Sequence, residues 1–308
     1  MSKTLIFGHK SPDTDTICSA IALSYLHNAL GNDTEAVRLG ELNEETTYVL
    51  EYFSIEAPRL IGDVSIETED VILVDHNERS QSADGIEKVN IRQVVDHHRI
   101  ANFETTEPLY YRAEPVGCTA TILVKLFREN NVEIPHAIAG LMLSAIISDT
   151  LLFKSPTSTE EDEQAASLLA ELAEVDLHIY GLAQLKAGAA ITGKTVEELI
   201  SIDSKPFTIG QVDIEVAQIN VVDIADVLSM KQEVLAAMDT VRIEKNQALF
   251  LLLVTDILNN NSVGLVSGDE ALVTTAFKGE VHDHLIDLPG VVSRKKQVIP
   301  VLSETITQ

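Results

Sequence analysis

The chain has 308 residues, enough for two domains that each bury a core. Hydrophobic residues make up 45% of it and aromatics 5%, with no tryptophan, a profile of aliphatic-packed α/β proteins that argues against disorder. A formal charge of −26, from 48 acidic against 22 basic residues, argues against a protein that grips long nucleic acid, while leaving room for a small phosphate substrate beside a local basic patch.

In chain order, Thr4 to Phe7 reads as a strand, and a loop runs from Gly8 to Asp15. A helix is predicted from about 16 to 30, because Ile17, Ile21, Leu23, Leu26 and Leu30 recur at helical spacing and Gly31 suits the C′ position. Val71 to Val74 and Gln93 to Val95 are further strand-like runs, and helices are predicted near 43–53, 117–130, 136–148, 159–175 and 178–187. The acidic run from Thr159 to Glu163 reads as a helix N-terminus capped by Ser158 or Thr159, since the helix dipole favours acids there.

Small residues between 187 and 195 mark a linker. The predicted organisation is therefore a first domain over 1–187, a linker over 188–194 and a second domain over 195–308. The second domain should open with a short helix at 195–200. Strands follow at about 206–210, 213–222, 248–257 and 262–267, with one helix from Ala225 to about Glu244. The fold class is α/β: a mainly parallel sheet flanked by helices, then a smaller domain with a mixed sheet.

The longest apolar stretch, 248–254, is strand-sized, so no membrane span is expected. The N-terminal residues lack the basic segment, apolar core and cleavage site of a secretory leader. Cys18 and Cys118 are too few and too far apart for a disulfide framework or a zinc knuckle. They read as buried thiols, and the expected location is the cytoplasm.

Chemistry concentrates in four segments, each at the end of an apolar run: Gly8-His9-Lys10-Ser11-Pro12-Asp13-Thr14-Asp15, Val74-Asp75-His76, Asp96-His97-His98 and Ser148-Asp149-Thr150. Strands of a parallel sheet end at one edge, so these segments should meet there. So many acids in one place are costly unless metal ions neutralise them. Carboxylate mixed with imidazole suits manganese, cobalt, iron or zinc better than calcium. An extended loop would aim Asp13 and Asp15 at different ions. Two ions sharing a carboxylate lie roughly 3.5–4 Å apart, a spacing that activates a bridging hydroxide. Ser293-Arg294-Lys295-Lys296-Gln297 holds the only run of three adjacent basic residues and forms the candidate anion patch. Leu285-Ile286-Asp287 and Pro289-Gly290 read as a surface turn region, so the neighbouring His282-Asp283-His284 is not taken as a metal pair, and His27, His136 and His178 read as packing or capping residues. His76 and Asn77 stay open between orienting a ligand and simple packing.

Asp96-His97-His98 together with the Gly-His-x-x-Pro-Asp-x-Asp loop resembles the DHH phosphoesterase superfamily. Within it, the whole chain, including the ending Ser293-Arg294-Lys295-Lys296-Gln297, is similar to the family II inorganic pyrophosphatases. That resemblance implies a homodimeric hydrolase of inorganic pyrophosphate, active in phosphate metabolism, with the active site between its two domains. It implies two Mn²⁺ per subunit, replaceable by Co²⁺ or Mg²⁺, with additional Mg²⁺ arriving on the substrate. It implies one ion on His9, Asp13 and Asp75, and a second on Asp15, Asp75, His97 and Asp149, with Asp75 shared. His98 would face the substrate, and Lys205, Arg294 and Lys295 would bind the phosphates. The role of Lys205 comes from the resemblance alone. The alternatives are another DHH phosphoesterase, such as a polyphosphatase or a short-oligonucleotide or nucleotide phosphatase, and a non-catalytic phosphate or metal sensor. The chain lacks the Gly-Gly-x-His motif of the superfamily's nucleases and has few aromatics for stacking bases.

Overall fold

A computed structural model describes residues 3–189, 191 and 193–307, so two residues of the predicted 188–194 linker, 190 and 192, lie outside the described residues. The chain separates into two compact units, Met1–Gly188 and Ala189–Gln308.

The first unit runs β1 (Thr4–Phe7), α1 (Thr14–Ala29), β2 (Thr34–Arg38), α2 (Glu44–Tyr52), β3 (Arg59–Leu60), β4 (Asp70–Val74), β5 (Asn90–Asp96) and β6 (Tyr110–Ala113). Four helices follow: α3 (Thr119–Glu129), α4 (His136–Thr150), α5 (Glu160–Leu172) and α6 (Leu177–Ala187). Its six strands lie in the order β3-β2-β1-β4-β5-β6, every pair parallel. Both faces of such a sheet are covered, which is why β1 and β4 read as unbroken apolar runs instead of alternating ones. Chain direction across the sheet reverses between β1 and β4, and ligands of open α/β sheets gather beyond the strand ends at that point.

Helix α1 starts two residues earlier than its apolar periodicity indicates. Asp13 is its N-cap and accepts the Thr16 N–H at 2.9 Å, so Asp15 sits in the first helical turn and not in an extended loop. Gly31 follows α1 in the left-handed region, φ 86°, as a C′ glycine does. Thr159 caps α5 in a reciprocal box with Asp162. Gly140 lets α4 approach Phe53 closely: a Cβ there would stand 2.2 Å from a ring carbon.

The second unit contains α7 (Val196–Ser201), β7 (Ser204–Ile209), β8 (Val212–Val221), α8 (Ile224–Leu228), α9 (Lys231–Glu244), β9 (Leu249–Asp256), β10 (Asn261–Gly268), α10 (Glu270–Phe277), β11 (Leu285–Leu288) and α11 (Ile299–Thr307). The sheet order is β11-β10-β9-β8-β7, with only β8 and β9 parallel. The single helix expected over 225–244 is two helices. Ser229, whose hydroxyl donates to Asp226 O at 2.8 Å, ends α8, and Met230 leaves helical geometry before α9 begins. The surface turn expected around 285–287 is instead strand β11, with Ile286 and Leu288 buried against β10. Among the described residues no helix is long and apolar enough to cross a membrane.

Glu215 is a buried acid in the second unit. It accepts from Ser204 Oγ at 2.6 Å, Gln247 Nε2 at 2.7 Å and Lys245 Nζ at 3.0 Å. Burial opposes its ionisation, but these donors outweigh burial and hold its pKa below the ordinary carboxylate value. The unfolded chain therefore binds the proton first, and the carboxylate's contribution to stability is present above about pH 4.3 and lost as pH falls further. The stability gap between the parent protein and Glu215→Gln should accordingly narrow below that pH in denaturant titrations. A gap independent of pH would show that the charge of Glu215 contributes nothing.

Candidate metal centre

Loops at the carboxyl ends of β1, β4 and β5, with the first turn of α1 and the end of α4, bring six side chains together. His9 Nε2 lies 3.4 Å from Asp13 Oδ2 and 3.5 Å from Asp75 Oδ2. His97 Nε2 lies 3.4 Å from Asp75 Oδ1 and 3.6 Å from Asp149 Oδ2. Two donor groups result, His9–Asp13–Asp75 and Asp15–Asp75–His97–Asp149, each with ligand atoms within 4.8 Å of one another and with Asp75 common to both. A third such group, Asp75–His97–His98, overlaps them.

The backbone serves this geometry at a cost. Asp75 holds φ 57°, a left-handed conformation that aspartate tolerates better than most residues, while its N–H pairs with Val95 O. Just past Asp149, Leu151, Leu152 and Phe153 take φ values of 48°, 51° and 65° in succession, turning the chain back after α4. Strain of this kind clusters at functional sites.

Neutral and helical donors surround the carboxylates. Thr16 Oγ1 donates to Asp75 Oδ2 at 2.7 Å, and Thr119 Oγ1 to Asp75 Oδ1 at 3.1 Å. Ser19 Oγ donates to Asp15 Oδ1 at 2.6 Å. The Thr119 N–H, in the first turn of α3, donates to Asp15 Oδ2 at 2.8 Å. The N-cap of α3, Cys118, makes no side-chain capping bond, so the site carboxylate takes one of the helix's free N–H groups. Asp162 steadies this corner by accepting from Gly117 N and Thr121 Oγ1.

Charge is poorly compensated by the protein itself. Burial and the neighbouring Asp15 push Asp75 up to about 7, even with His97 opposing. Burial with Asp15 and Asp75 drives Asp149 well above its ordinary value. Burial disfavours the charged form of His97, but Asp75 and Asp15 overcome it and raise the imidazole to about 9. Asp13 and His9 move in opposite senses, down and up, because each favours the other's charged form against the penalty of burial.

A divalent cation fits this donor set. The carboxylates crowd one another, and His97 Nδ1 is engaged by Val116 O at 3.0 Å, which fixes Nε2 toward Asp75 and Asp149. On the first group, His9 Nδ1 is buried without a hydrogen-bond partner, while Nε2 faces the carboxylates.

His98 is half-exposed, and its Nδ1 lies 3.0 Å from Asp96 Oδ1. It borders a cavity of about 270 Å³ with His9, Asp75, Asn77 and Arg99. His76, left open by sequence, turns away from the donor groups: its nitrogens meet Val74 O and Ser82 Oγ, and burial lowers it to about 4. His27 is tied to Gln93 at 2.9 Å, a packing role. Sequence reasoning missed Thr16, Ser19, Thr119 and Asp162. Hydroxyls inside helices carry no signal until a carboxylate from elsewhere in the chain arrives beside them.

In the second unit, Arg294 is nearly buried. It donates to Asp203 Oδ1 at 2.8 Å, to Val216 O at 3.3 Å and to Asp203 O. With exposed Lys295 it borders a cavity of about 400 Å³ that also includes Asp203, Gln218, Asn220 and Ser293. Lys205 is exposed at the start of β7 and pairs in register with Val216, whose carbonyl Arg294 uses. Residues 294–298 form a π-helical turn, a rare element that is frequent at functional sites.

The two units correspond to two family models: the N-terminal domain of the DHH family matches residues 3–146, and the DHHA2 domain matches residues 182–305. A Bacillus subtilis protein named "Manganese-dependent inorganic pyrophosphatase" is 59% identical over 309 residues, covering 100% of both chains. A Bacillus velezensis protein named "Probable manganese-dependent inorganic pyrophosphatase" is 60% identical with the same coverage. A crystal structure of a Methanococcus jannaschii "putative family II inorganic pyrophosphatase" superposes with a TM-score of 0.61 at 37% identity, covering 98% of this chain and 99% of that one. The chain belongs to the family of manganese-dependent inorganic pyrophosphatases.

Proposed function

We propose that this protein hydrolyses inorganic pyrophosphate to two phosphates, using manganese held by His9, Asp13 and Asp75 on one side and by Asp15, Asp75, His97 and Asp149 on the other. The observation that carries this reading is the pair of donor groups sharing one buried carboxylate, in a chain 59% identical along its whole length to a named manganese-dependent pyrophosphatase. Manganese bound there supplies Lewis acidity toward phosphoryl oxygen and lowers the pKa of water.

The chain's own residues do the remaining work. Pyrophosphate carries up to four negative charges, so repulsion is the main obstacle to attack on phosphorus. His98, tied at Nδ1, presents its other nitrogen to the substrate as a hydrogen-bond donor. Lys205, Arg294 and Lys295 take the phosphoryl groups and offset charge on the leaving oxygens. Two of Arg294's three nitrogens are held by Asp203 and Val216, and among the described residues Nε has no hydrogen-bond acceptor, which leaves one edge of the fork for phosphate. Magnesium carried by the substrate would add to this neutralisation, and the same carboxylates and imidazoles would accept cobalt or magnesium in place of manganese.

The same reading has the enzyme acting in the cytoplasm, in phosphate metabolism, as a homodimer. Two buried free thiols support the location. The outer edge of β6, unpaired among the described residues, supports pairing with a second copy.

The deciding experiment measures phosphate released from pyrophosphate, tripolyphosphate and a dinucleotide by metal-stripped protein reloaded with manganese or magnesium. Fast manganese-supported release from pyrophosphate alone is the expected result. Preference for the longer chain or the dinucleotide would overturn the substrate while leaving the metal centre standing.

The hydroxyl on Asp75 offers a second test. Thr119→Val keeps the side-chain shape and the N–H to Asp15 but deletes the donor to Asp75. Manganese affinity, measured by titration calorimetry, should fall about 10- to 100-fold with the unfolding midpoint little changed. Unchanged affinity would remove Thr119 from the account.

A further inference from the structure

The geometry points to Asn77 as the positioning residue of His98: its side chain clamps Asp96 and the loop after β5, so that Asp96 holds the imidazole by Nδ1 and leaves Nε2 for substrate. The inference rests on the substrate-facing role of His98 given above.

Asn77 is buried two residues beyond Asp75 and belongs to none of the donor groups. Its Oδ1 accepts the Ala101 N–H at 2.9 Å. Its Nδ2 donates to Asp96 Oδ2 at 2.7 Å and to Arg99 O at 2.9 Å. One partner is a donor and two are acceptors, so the orientation of the amide is dictated by chemistry, and no carboxylate or hydroxyl of similar size can serve all three. Asp96, fully buried, spends its other oxygen on His98, accepting from the main-chain N–H and from Nδ1, both at 3.0 Å.

This accounting decides between two uses of His98. Its Nδ1 also lies 3.6 Å from Asp75 Oδ1, close enough to join a donor group with Asp75 and His97. A nitrogen hydrogen-bonded to Asp96 is not free for a cation. Release of Asp96 by loss of Asn77 would leave a buried carboxylate oxygen without its donor and free the ring to turn. Asn77 therefore keeps His98 on the substrate side of the site.

The test is a double-mutant cycle between Asn77→Asp and His98→Gln in the manganese-loaded enzyme, with kcat, KM and manganese affinity read separately. In the presence of His98, Asn77→Asp should lower kcat at least about tenfold, with KM and manganese affinity within about threefold. In the His98→Gln background the same change should alter kcat less than twofold. An equal loss in both backgrounds, or a loss of manganese affinity that tracks the loss of rate, would overturn the assignment. Should Asn77→Asp fail to fold, Asp96→Asn replaces it in the cycle with the same expectation.

A second readout needs no activity. The metal-free parent protein should show a downfield imidazole N–H resonance that disappears in His98→Gln and is displaced in Asn77→Asp or, if that variant does not fold, in Asp96→Asn. Its absence from the parent protein would refute the clamp. A parent enzyme inactive on pyrophosphate but carrying this resonance would sink the substrate reading alone.

Discussion

Asp75→Asn is expected to lower manganese-supported pyrophosphate hydrolysis by more than about a hundredfold, since even residues outside the coordination sphere cost 10- to 100-fold when removed. The reason is that one carboxylate serves both donor groups, with Oδ2 beside His9 and Oδ1 beside His97. Each oxygen also accepts a threonine hydroxyl, from Thr16 and Thr119. An amide at this position supplies one oxygen and one NH2 group, so one hydroxyl meets a donor where it had an acceptor, and one donor group loses its anionic ligand. Bound manganese, measured by elemental analysis after gel filtration, should fall together with the rate. An Asp75→Asn protein that kept both its metal and its rate would refute the shared-ligand arrangement.

The second large effect is expected at Arg294. Arg294→Lys should reduce kcat/KM about 10- to 100-fold, which is about 1.4 to 2.8 kcal/mol, because an ammonium cannot hold Asp203 and Val216 O while still presenting a flat pair of donors to phosphate. Manganese affinity should stay unchanged, since all candidate ligands belong to the first unit. Arg294→Ala should in addition destabilise the second unit by about 1–3 kcal/mol, as the buried Val216 carbonyl and the part-buried Asp203 carbonyl lose their charged donor. Denaturant midpoints beside steady-state kinetics separate the two effects. A variant that loses manganese instead of substrate affinity would contradict the assignment of Arg294 to phosphate.

Much of the architecture was legible because the physics involved is local. The unbroken apolar runs of β1 and β4 announced strands covered on both faces, and the periodicity from Ile17 to Leu30 announced α1. The meeting of His9, Asp13, Asp15, Asp75 and His97 followed from one topological rule, that parallel strands end together, whereas Asp149 arrives on the last turn of helix α4, which that rule does not place. Short elements escaped. Strand β11 is four residues long, and its alternation of Ile286 and Leu288 with Asp287 is too brief to outweigh the polar residues before it. The break between α8 and α9 lacks glycine and proline, the residues whose backbone limits give loops away.

The sequence by itself determined the fold class, the aliphatic core and the supply of acids and histidines at strand ends, because side-chain periodicity and strand direction are properties of neighbouring residues. Only the tertiary structure decided that Asp75 stands between His9 and His97 in a left-handed conformation, that Asp15 enters the first turn of α1, and that Thr119 comes 104 residues along the chain to donate to Asp15. Those contacts depend on which distant groups share a desolvated volume. There each unpaired donor or charge carries a penalty that the local sequence does not register.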